Sequence, residues 1–140
     1  MQIQEVDWVP FQAEFPHLFR RAELRDMAVG EGWFELLWTL CTNLEVVAAQ
    51  RATSGLRPFR IVQVKEKFGG LRIYTAGDIT TEARALIQEA CTRSESVCEA
   101  CGEPGNRCMI DNWIKTLCPF HQLVLGGNPL QGYGFPKFNP

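Results

Sequence analysis

The residues best suited to chemistry in this chain are cysteines and a histidine arranged in two closely spaced pairs. Cys98 and Cys101 are separated by two residues, and after sixteen further residues Cys118 and His121 repeat that separation. A two-residue gap lets both side chains of a pair point from one tight turn at a common centre. Three thiolates and one imidazole match the donors of a closed tetrahedral zinc site, and the histidine favours zinc over iron. The sequence therefore predicts one structural Zn²⁺ per chain, with the ligands Cys98, Cys101, Cys118 and His121.

Catalysis is not predicted from these residues. A catalytic zinc site keeps one open coordination position and has a general base nearby, whereas four protein ligands leave no position for water. The His-x-Glu pair of zinc deaminases is absent, because Leu123 stands two residues after His121. The serines stand outside a nucleophile elbow, and Gly69–Gly70 lacks the ending of a phosphate-binding loop. The sequence therefore predicts a protein that is not an enzyme.

Burial and redox chemistry are the alternative roles for the cysteines. A Cys-x-x-Cys redox motif opens a helix after a strand, whereas Cys98 follows a predicted helix. Cys108 lies alone between the two pairs and stays an alternative to His121 as the fourth ligand. Cys41 and Cys91 fall on apolar helix faces and are predicted to be core thiols.

The N-terminus and the hydropathy pattern predict a cytoplasmic protein without membrane contact. The first ten residues, MQIQEVDWVP, contain acidic residues and a proline where a signal peptide has a basic start and an apolar stretch. No apolar run reaches the roughly 18 residues of a membrane helix. We therefore expect a reducing compartment, in which the six cysteines form no disulfide framework.

Two long helices are predicted from the spacing of apolar residues. Apolar side chains recur at three- and four-residue steps over 33–53 and again over 80–96. Asp78 or Thr80 can cap the N-terminus of the second helix. An aromatic N-terminal arm with a short helix over 17–28 is predicted to precede both.

Two β-hairpins are predicted from runs of β-branched and aromatic residues bounded by turn residues. The predicted strands are 59–67, 71–76, 106–110 and 113–117. Gly69–Gly70 joins the first two and Asp111–Asn112 joins the last two. The second hairpin separates the two ligand pairs, so its closure would bring them side by side, as in a zinc ribbon.

These elements predict a single α+β domain in which two main helices pack on a β-hairpin that continues into a zinc-ribbon-like β-hairpin. Residues 1–97 form the predicted α+β core, and 98–125 form the zinc-ribbon-like extension of the same domain. Residues 126–140 contain four glycines and three prolines, which predicts a tail without regular structure.

The charge is uneven although the net charge is only −2. Residues 57–77 carry five basic residues and one acidic residue, while 1–56 carry four basic and eight acidic residues. One interpretation is charge pairing inside the fold, and the other is a surface for phosphate or an acidic partner. The basic residues of this hairpin that we single out for partner binding are Arg60, Lys65, Lys67 and Arg72.

The C-terminal tail is the second candidate contact surface. Tyr133, Phe135 and Phe138 are too apolar for a solvated linker, which predicts that the tail lies along the domain or reaches a partner.

The run Val62–Tyr74, which contains VKEKFGGLR, resembles a family of short uncharacterised proteins of bacteria, phages and prophages. Further features of the resemblance are GWFELL from Gly32, CEACGEPG from Cys98, Trp113, and TLCPFH, which ends at His121. The resemblance covers roughly residues 30–121 and implies a zinc-stabilised α+β unit without an established activity.

Together these observations predict a non-catalytic protein-binding module. By analogy with other small phage proteins, the resemblance implies an inhibitor of a bacterial defence or host protein complex, similar in role to an anti-CRISPR protein. The alternative is a small nucleic-acid-binding regulator that uses the basic hairpin 57–77, which combines cations with aromatic residues. The acidic pI of about 5.7 opposes this alternative.

Overall fold

Helices and two small sheets combine in an α+β fold, which confirms the predicted fold class. The computed structural model describes residues 2–20 and 27–130. The helices are α1 (Val9–Glu14), α2 (Phe34–Thr53), α3 (Thr81–Ser94) and α4 (Pro119–Val124), with a 3-10 turn at Glu31–Trp33 before α2. The strands are β1 (Met27–Ala28), β2 (Phe59–Lys67), β3 (Gly70–Gly77), β4 (Asn106–Ile110), β5 (Trp113–Leu117) and β6 (Asn128–Pro129).

The two long helices form where apolar periodicity predicts them. The buried side chains of α2 recur at three- and four-residue steps, from Leu36 to Ala48. Trp38 lies beside this stripe, and its ring centroid is 4.7 Å from that of Phe15 in the N-terminal segment. Thr80 is the N-cap of α3, because its hydroxyl accepts a 3.0 Å hydrogen bond from the N–H of Ala83.

The helix predicted over 17–28 is wrong where the structure describes it. The helical turn occurs earlier, at Val9–Glu14, and Met27–Ala28 is a strand parallel to β2. Pro10 suits the first turn of a helix, whereas Pro16 disfavours helix at the residue before it. Buried Phe11 and Leu18 belong to the core on either side of this break. Residues 21–26 lie outside the described residues.

The first sheet has the order β1-β2-β3, and a bulge in β2 explains its irregular sequence pattern. The pairing register shifts between Ile61 and Gln63, so Val62 is the extra residue. The bulge keeps Phe59, Ile61 and Val64 on the core face. The turn consists of Phe68 and Gly69, both with positive φ, and the first residue of β3 is Gly70 rather than a turn residue.

The second sheet has the order β5-β4-β6, and its hairpin has the predicted bounds. Asp111 and Asn112 have φ values of 45° and 70°, as a two-residue hairpin turn requires. The prediction of a tail without regular structure is wrong at Asn128–Pro129, which pairs with β4 as a two-residue edge strand. Gly126, with φ of 74°, reverses the chain after α4 and permits this return.

The buried side chains form a large and a small apolar cluster. The large cluster lies between the helices and the first sheet and includes Trp33, Phe11 and Leu44. The small cluster consists of the buried residues Cys98, Cys108, Leu117 and Cys118, with Ile3, Ala100, Ile110 and Leu125 against it. Of the helices that the structure describes, none combines the length and the apolar character needed to cross a membrane.

Candidate metal centre

The first ligand pair lies on a tight turn that follows α3. The N–H of Cys98 donates to the carbonyl of Glu103 at 2.7 Å, and the N–H of Gly102 donates to the carbonyl of Cys98 at 2.8 Å. Gly102 has a φ of 84°, a left-handed conformation that glycine adopts without strain. The chain therefore folds back within six residues, with Cys98 buried and Cys101 exposed.

The second ligand pair lies at the junction of β5 and α4. Cys118 is the N-cap of this helix, and its Sγ accepts the N–H of His121 at 3.4 Å. Pro119 occupies the first turn, where its missing N–H costs nothing. The helical start therefore turns the His121 ring back toward the Cys118 thiol.

The four predicted ligands come together at one point. Their donor atoms all lie within 4.8 Å of one another. The Sγ atoms of Cys101 and Cys118 are 3.7 Å apart. Nδ1 of His121 lies 3.2 Å from Sγ of Cys118 and 3.8 Å from Sγ of Cys98.

These separations fit a tetrahedral zinc ion. With Zn–S bonds of about 2.3 Å and Zn–N bonds of about 2.0 Å, the tetrahedron has edges of about 3.8 Å between sulfurs and about 3.5 Å between sulfur and nitrogen. The donor set of three sulfurs and one imidazole is also one that zinc prefers. Cys98, Cys101, Cys118 and His121 therefore could hold a metal ion with little rearrangement.

The thiols of the cluster differ in acidity. Burial acts against ionisation of Cys118, but hydrogen bonds from the backbone and ring of His121 and from the neighbouring thiols lower the pKa of Cys118 to about 7. Burial and the adjacent thiols raise the pKa of Cys101 to about 11. A metal ion that binds here must therefore displace protons, so its affinity falls as the pH falls.

Cys108 is not part of this cluster. Among the described residues, the group that could hold a metal ion contains His121 and not Cys108. Cys108 is fully buried in the small apolar cluster, and burial raises the pKa of its thiol. The alternative in which Cys108 replaces His121 is therefore not supported by the geometry. Cys41 is buried and Cys91 packs partly buried against the large cluster, as predicted for core thiols.

Glu99, between the first two ligands, connects the metal centre to the N-terminal half of the chain. Its side chain is buried, and Oε2 accepts the N–H of Gly30 at 3.1 Å. Its carbonyl accepts the N–H of Gly32 at 2.8 Å. A Cβ on Gly32 would lie 2.2 Å from the carbonyl oxygen of Cys98, so only glycine allows this approach.

The same turn is connected to the first hairpin through β5. The ammonium of Lys115 is 2.6 Å from Oε1 of Glu66 on β2 and 3.6 Å from Oε1 of Glu99. The hydroxyl of Thr116 donates to the carbonyl of Gly69 at 2.6 Å. Burial acts to lower the pKa of Lys115, but the two carboxylates outweigh burial and raise it, so Lys115 stays charged.

Sequence reasoning missed these connecting residues. Gly30 and Glu99 are 69 positions apart, and no local pattern relates them. Burial raises the pKa of Glu99, while Lys115 and the N–H of Gly30 act in the opposite direction. The one available signal was a carboxylate placed between two thiolate ligands, which sequence alone explains equally well as a surface residue.

The predicted basic residues share the face of the first sheet opposite the core. In the strand register, Arg60 pairs with Ala76 and Lys65 pairs with Arg72. Side chains alternate between the two faces of a strand, and the bulge shifts this alternation by one residue, so Arg60, Lys65, Lys67 and Arg72 lie on one face. The ammonium of Lys65 lies 5.1 Å from the centroid of the half-exposed Tyr74 ring. None of the ion pairs formed within the described residues includes these four cations. Tyr133, Phe135 and Phe138 lie outside the described residues.

The ribbon carries large exposed apolar side chains that were not predicted as contact residues. Trp113 at the start of β5 is 71% exposed. Phe120, Leu123 and Val124 on α4 are 60%, 81% and 39% exposed. The candidate metal centre therefore lies in an element that exposes several large apolar side chains.

A scan against protein-family profiles, a search of curated proteins and a search of solved structures each give no match.

Proposed function

We propose that this protein is a zinc-stabilised, non-catalytic protein-binding module. The observation that carries the proposal is the convergence of four protein donors, Cys98, Cys101, Cys118 and His121, within 4.8 Å. A zinc ion held by four protein ligands cross-links the chain and keeps no position for a substrate. Cys98 and Cys118 also belong to the small apolar cluster, so the same residues hold the metal and close the ribbon.

The exposed apolar residues of the ribbon support protein binding. Isolated exposed apolar side chains are normal, but interface anchors are enriched in tryptophan and other large side chains. Trp113 and Leu123, exposed by 71% and 81%, stand on β5 and α4, the two elements that meet at the second ligand pair. In this proposal the metal fixes β5 and α4 in place before binding, so these side chains contact a partner without a loss of conformational entropy in the two elements.

The finer proposal is an inhibitor of a bacterial defence or host protein complex, similar in role to an anti-CRISPR protein. It is supported by the resemblance of residues 30–121 to phage and prophage proteins and by the lack of a catalytic motif in the sequence. Its partner is a protein complex of the bacterial cytoplasm.

The proposal is tested by capture of bacterial proteins on the zinc-loaded chain. We expect a partner that is retained at moderate salt and lost with the variant Leu123→Ser, because an apolar contact is insensitive to ionic strength. Leu56→Ser is the matched control, since Leu56 is 54% exposed but lies after α2, away from the ribbon in the chain. A captured set that is identical for the wild type and Leu123→Ser contradicts the proposal.

The second candidate function is binding of a single-stranded nucleic acid. It is favoured by the shared face of Arg60, Lys65, Lys67 and Arg72 and by the adjacent Tyr74, since cations beside stacking rings suit single strands. Binding to an oligonucleotide should then weaken with salt, and Lys65→Glu should reduce the slope of log affinity against log salt by about 0.7 per lost phosphate contact. The control is Arg84→Glu, an exposed cation on α3. Equal affinities for the two variants would exclude this face as the nucleic-acid site.

A further inference from the structure

A cavity of about 200 Å³ lies beside the metal centre, between the N-terminal segment, the first hairpin and the ribbon. Its polar lining consists of Glu5, Glu66, Glu99 and Lys115. We propose that this cavity binds the guanidinium group of an arginine side chain from a partner protein. The inference rests on the proposed protein-binding function and names the chemistry of one contact.

The observation that points to a ligand is a buried oxygen of Glu99 that accepts no hydrogen bond and has only the long ion pair to Lys115. The Glu99 side chain is 4% exposed, and its Oε2 is used by the N–H of Gly30. Its Oε1 is buried and accepts no hydrogen bond within the described residues. A buried acceptor without a donor is costly, so a donor group of a ligand that enters the cavity would remove that cost.

Lys115, the cation that lines the cavity, does not donate a hydrogen bond to this oxygen of Glu99. The ammonium of Lys115 is 2.6 Å from Oε1 of Glu66 but 3.6 Å from Oε1 of Glu99, beyond ordinary hydrogen-bond length. The remaining oxygen of Glu66 accepts the N–H of Gly69 at 2.8 Å. Glu99 and the exposed Glu5 therefore offer the carboxylate oxygens that are open to a ligand.

The charge of the cavity favours a cationic ligand. Three carboxyl groups, Glu5, Glu66 and Glu99, face one ammonium, Lys115. An adjoining cavity of about 340 Å³ shares Glu5 and adds the carboxylates of Asp7 and Glu31. A protein segment whose arginine enters the first cavity would therefore meet further acidic groups along its path, which suits a basic segment.

The size and the donor geometry favour guanidinium over other cations. Sites for cofactor-sized molecules have about 300–1,000 Å³, so a cavity of about 200 Å³ fits a side chain better. Calcium requires six to eight oxygen ligands, whereas both oxygens of Glu66 are already in use. Guanidinium is weakly hydrated and presents donors in a fixed plane, which suits partly buried carboxylates.

The test is an amide-resolved NMR titration of the zinc-loaded, full-length chain with two blocked tripeptides. One peptide is Gly-Arg-Gly, and the other replaces arginine with citrulline, which has the same shape but no charge. We expect the arginine peptide to bind more tightly and to shift the amide resonance of Gly30, whose N–H contacts Glu99. Glu99→Gln should weaken arginine binding by about tenfold to a hundredfold, because it removes one charge-assisted hydrogen bond. Glu103→Gln, an exposed glutamate of the same turn, is the matched control and should leave binding unchanged.

Equal binding of the two peptides, or an arginine titration without a shift at Gly30, would overturn the inference and leave water as the occupant of the cavity. The comparison of peptides on the wild-type chain decides the question even if Glu99→Gln fails to load zinc. Glu5→Gln then serves as the second variant, with an expected loss of a few-fold in affinity because Glu5 is exposed. Peptide binding without capture of a bacterial protein would instead contradict the proposed function and not the arginine cavity.

Discussion

Two buried cysteines of the ribbon, Cys108 and Cys118, show how position decides the role of a thiol. Cys118 begins α4, where the N–H and the ring of His121 both approach its sulfur. Cys108 lies in the middle of β4, opposite Lys115 on β5, and its side chain is enclosed by the small apolar cluster. The first thiol is stabilised as a thiolate and the second is kept neutral by burial.

Alanine substitution separates these two roles. Cys118→Ala should abolish stoichiometric zinc binding, because it removes one of four donors, whereas Cys108→Ala should retain one zinc per chain and lose only packing energy, on the order of 1 kcal/mol. Elemental analysis of the purified variants measures the zinc content. Loss of zinc from Cys108→Ala would show that the fourth ligand has been assigned wrongly.

The thiol of Cys41 makes stability depend on alkaline pH. Burial, with a smaller contribution from Glu45, raises its pKa above the ordinary value of 9.0 in the folded chain. The unfolded chain therefore ionises first as the pH rises, so the stabilisation is complete below pH 9 and is lost above it. As the pH rises from 9 to 11, the wild type should lose more unfolding free energy than Cys41→Ala, with a slope that approaches but does not exceed about 1.4 kcal/mol per pH unit. Denaturant unfolding across this range measures the difference, and parallel pH profiles would contradict the assignment.

At the level of elements, the prediction succeeded where the signal was local. The hairpin of β4 and β5 and the N-cap of α3 depend on residues within a few positions of one another, such as Asp111–Asn112 and Thr80. The N-terminal helix was predicted on the charged stretch after Pro16, whereas the structure begins a helix at Val9, with Pro10 in its first turn, and ends it before Pro16. The bulge at Val62 also escaped sequence analysis, since an extra residue in β2 shows only as two adjacent apolar residues.

The ligands of the candidate metal centre were also predictable from local sequence, whereas the contacts that hold them in place were not. Each ligand pair spans four residues, so spacing alone indicated the site. The contacts that hold the first ligand turn in place join Glu99 to Gly30 and Thr116 to Gly69, which are 69 and 47 positions apart. Such pairings are set by the packing of whole elements, and a single sequence carries no pattern for them.

The close approach of the 3-10 turn to the first ligand turn predicts a severe effect of a single methyl group. Gly32→Ala would place a Cβ 2.2 Å from the carbonyl oxygen of Cys98, so backbone must move, at a cost of about 3 kcal/mol or more. Gly55→Ala is the control, because nothing lies within 4 Å of its Cβ and only left-handed strain of about 1 kcal/mol is added. Denaturant unfolding gives both values. Equal losses of stability would show that this contact does not constrain the fold.

At the scale of the whole molecule, the two apolar clusters differ in how much they depend on metal. The large cluster is built from buried side chains of α2, the first sheet and the N-terminal segment. The small cluster has four buried residues, two of which, Cys98 and Cys118, also belong to the group that could hold a metal ion. A core of this size does little to offset the entropy of ordering its segment, so the proposed zinc cross-link would stabilise the ribbon more than the large cluster.

Removal of the metal by a chelator should therefore destabilise the second sheet more than the first. Removal of zinc is expected to abolish hydrogen-exchange protection of the Met109 and Lys115 amides in the second sheet, while the amides of the paired residues Lys65 and Arg72 in the first sheet remain protected. Hydrogen exchange resolved by residue, with and without a chelator, measures this. Simultaneous loss of protection in both sheets would contradict this expectation. It would show that the hydrogen bonds of Glu99 to Gly30 and of Thr116 to Gly69 make the chain a single cooperative unit.

The central claim is that three cysteines and one histidine complete the coordination of one zinc ion. X-ray absorption at the zinc edge of the loaded protein measures it directly. We predict three sulfur ligands at about 2.3 Å and one nitrogen ligand at about 2.0 Å, without an oxygen ligand. A zinc ion with a bound water, or with fewer than three sulfur ligands, would contradict the closed structural site and with it the proposal of a non-catalytic module.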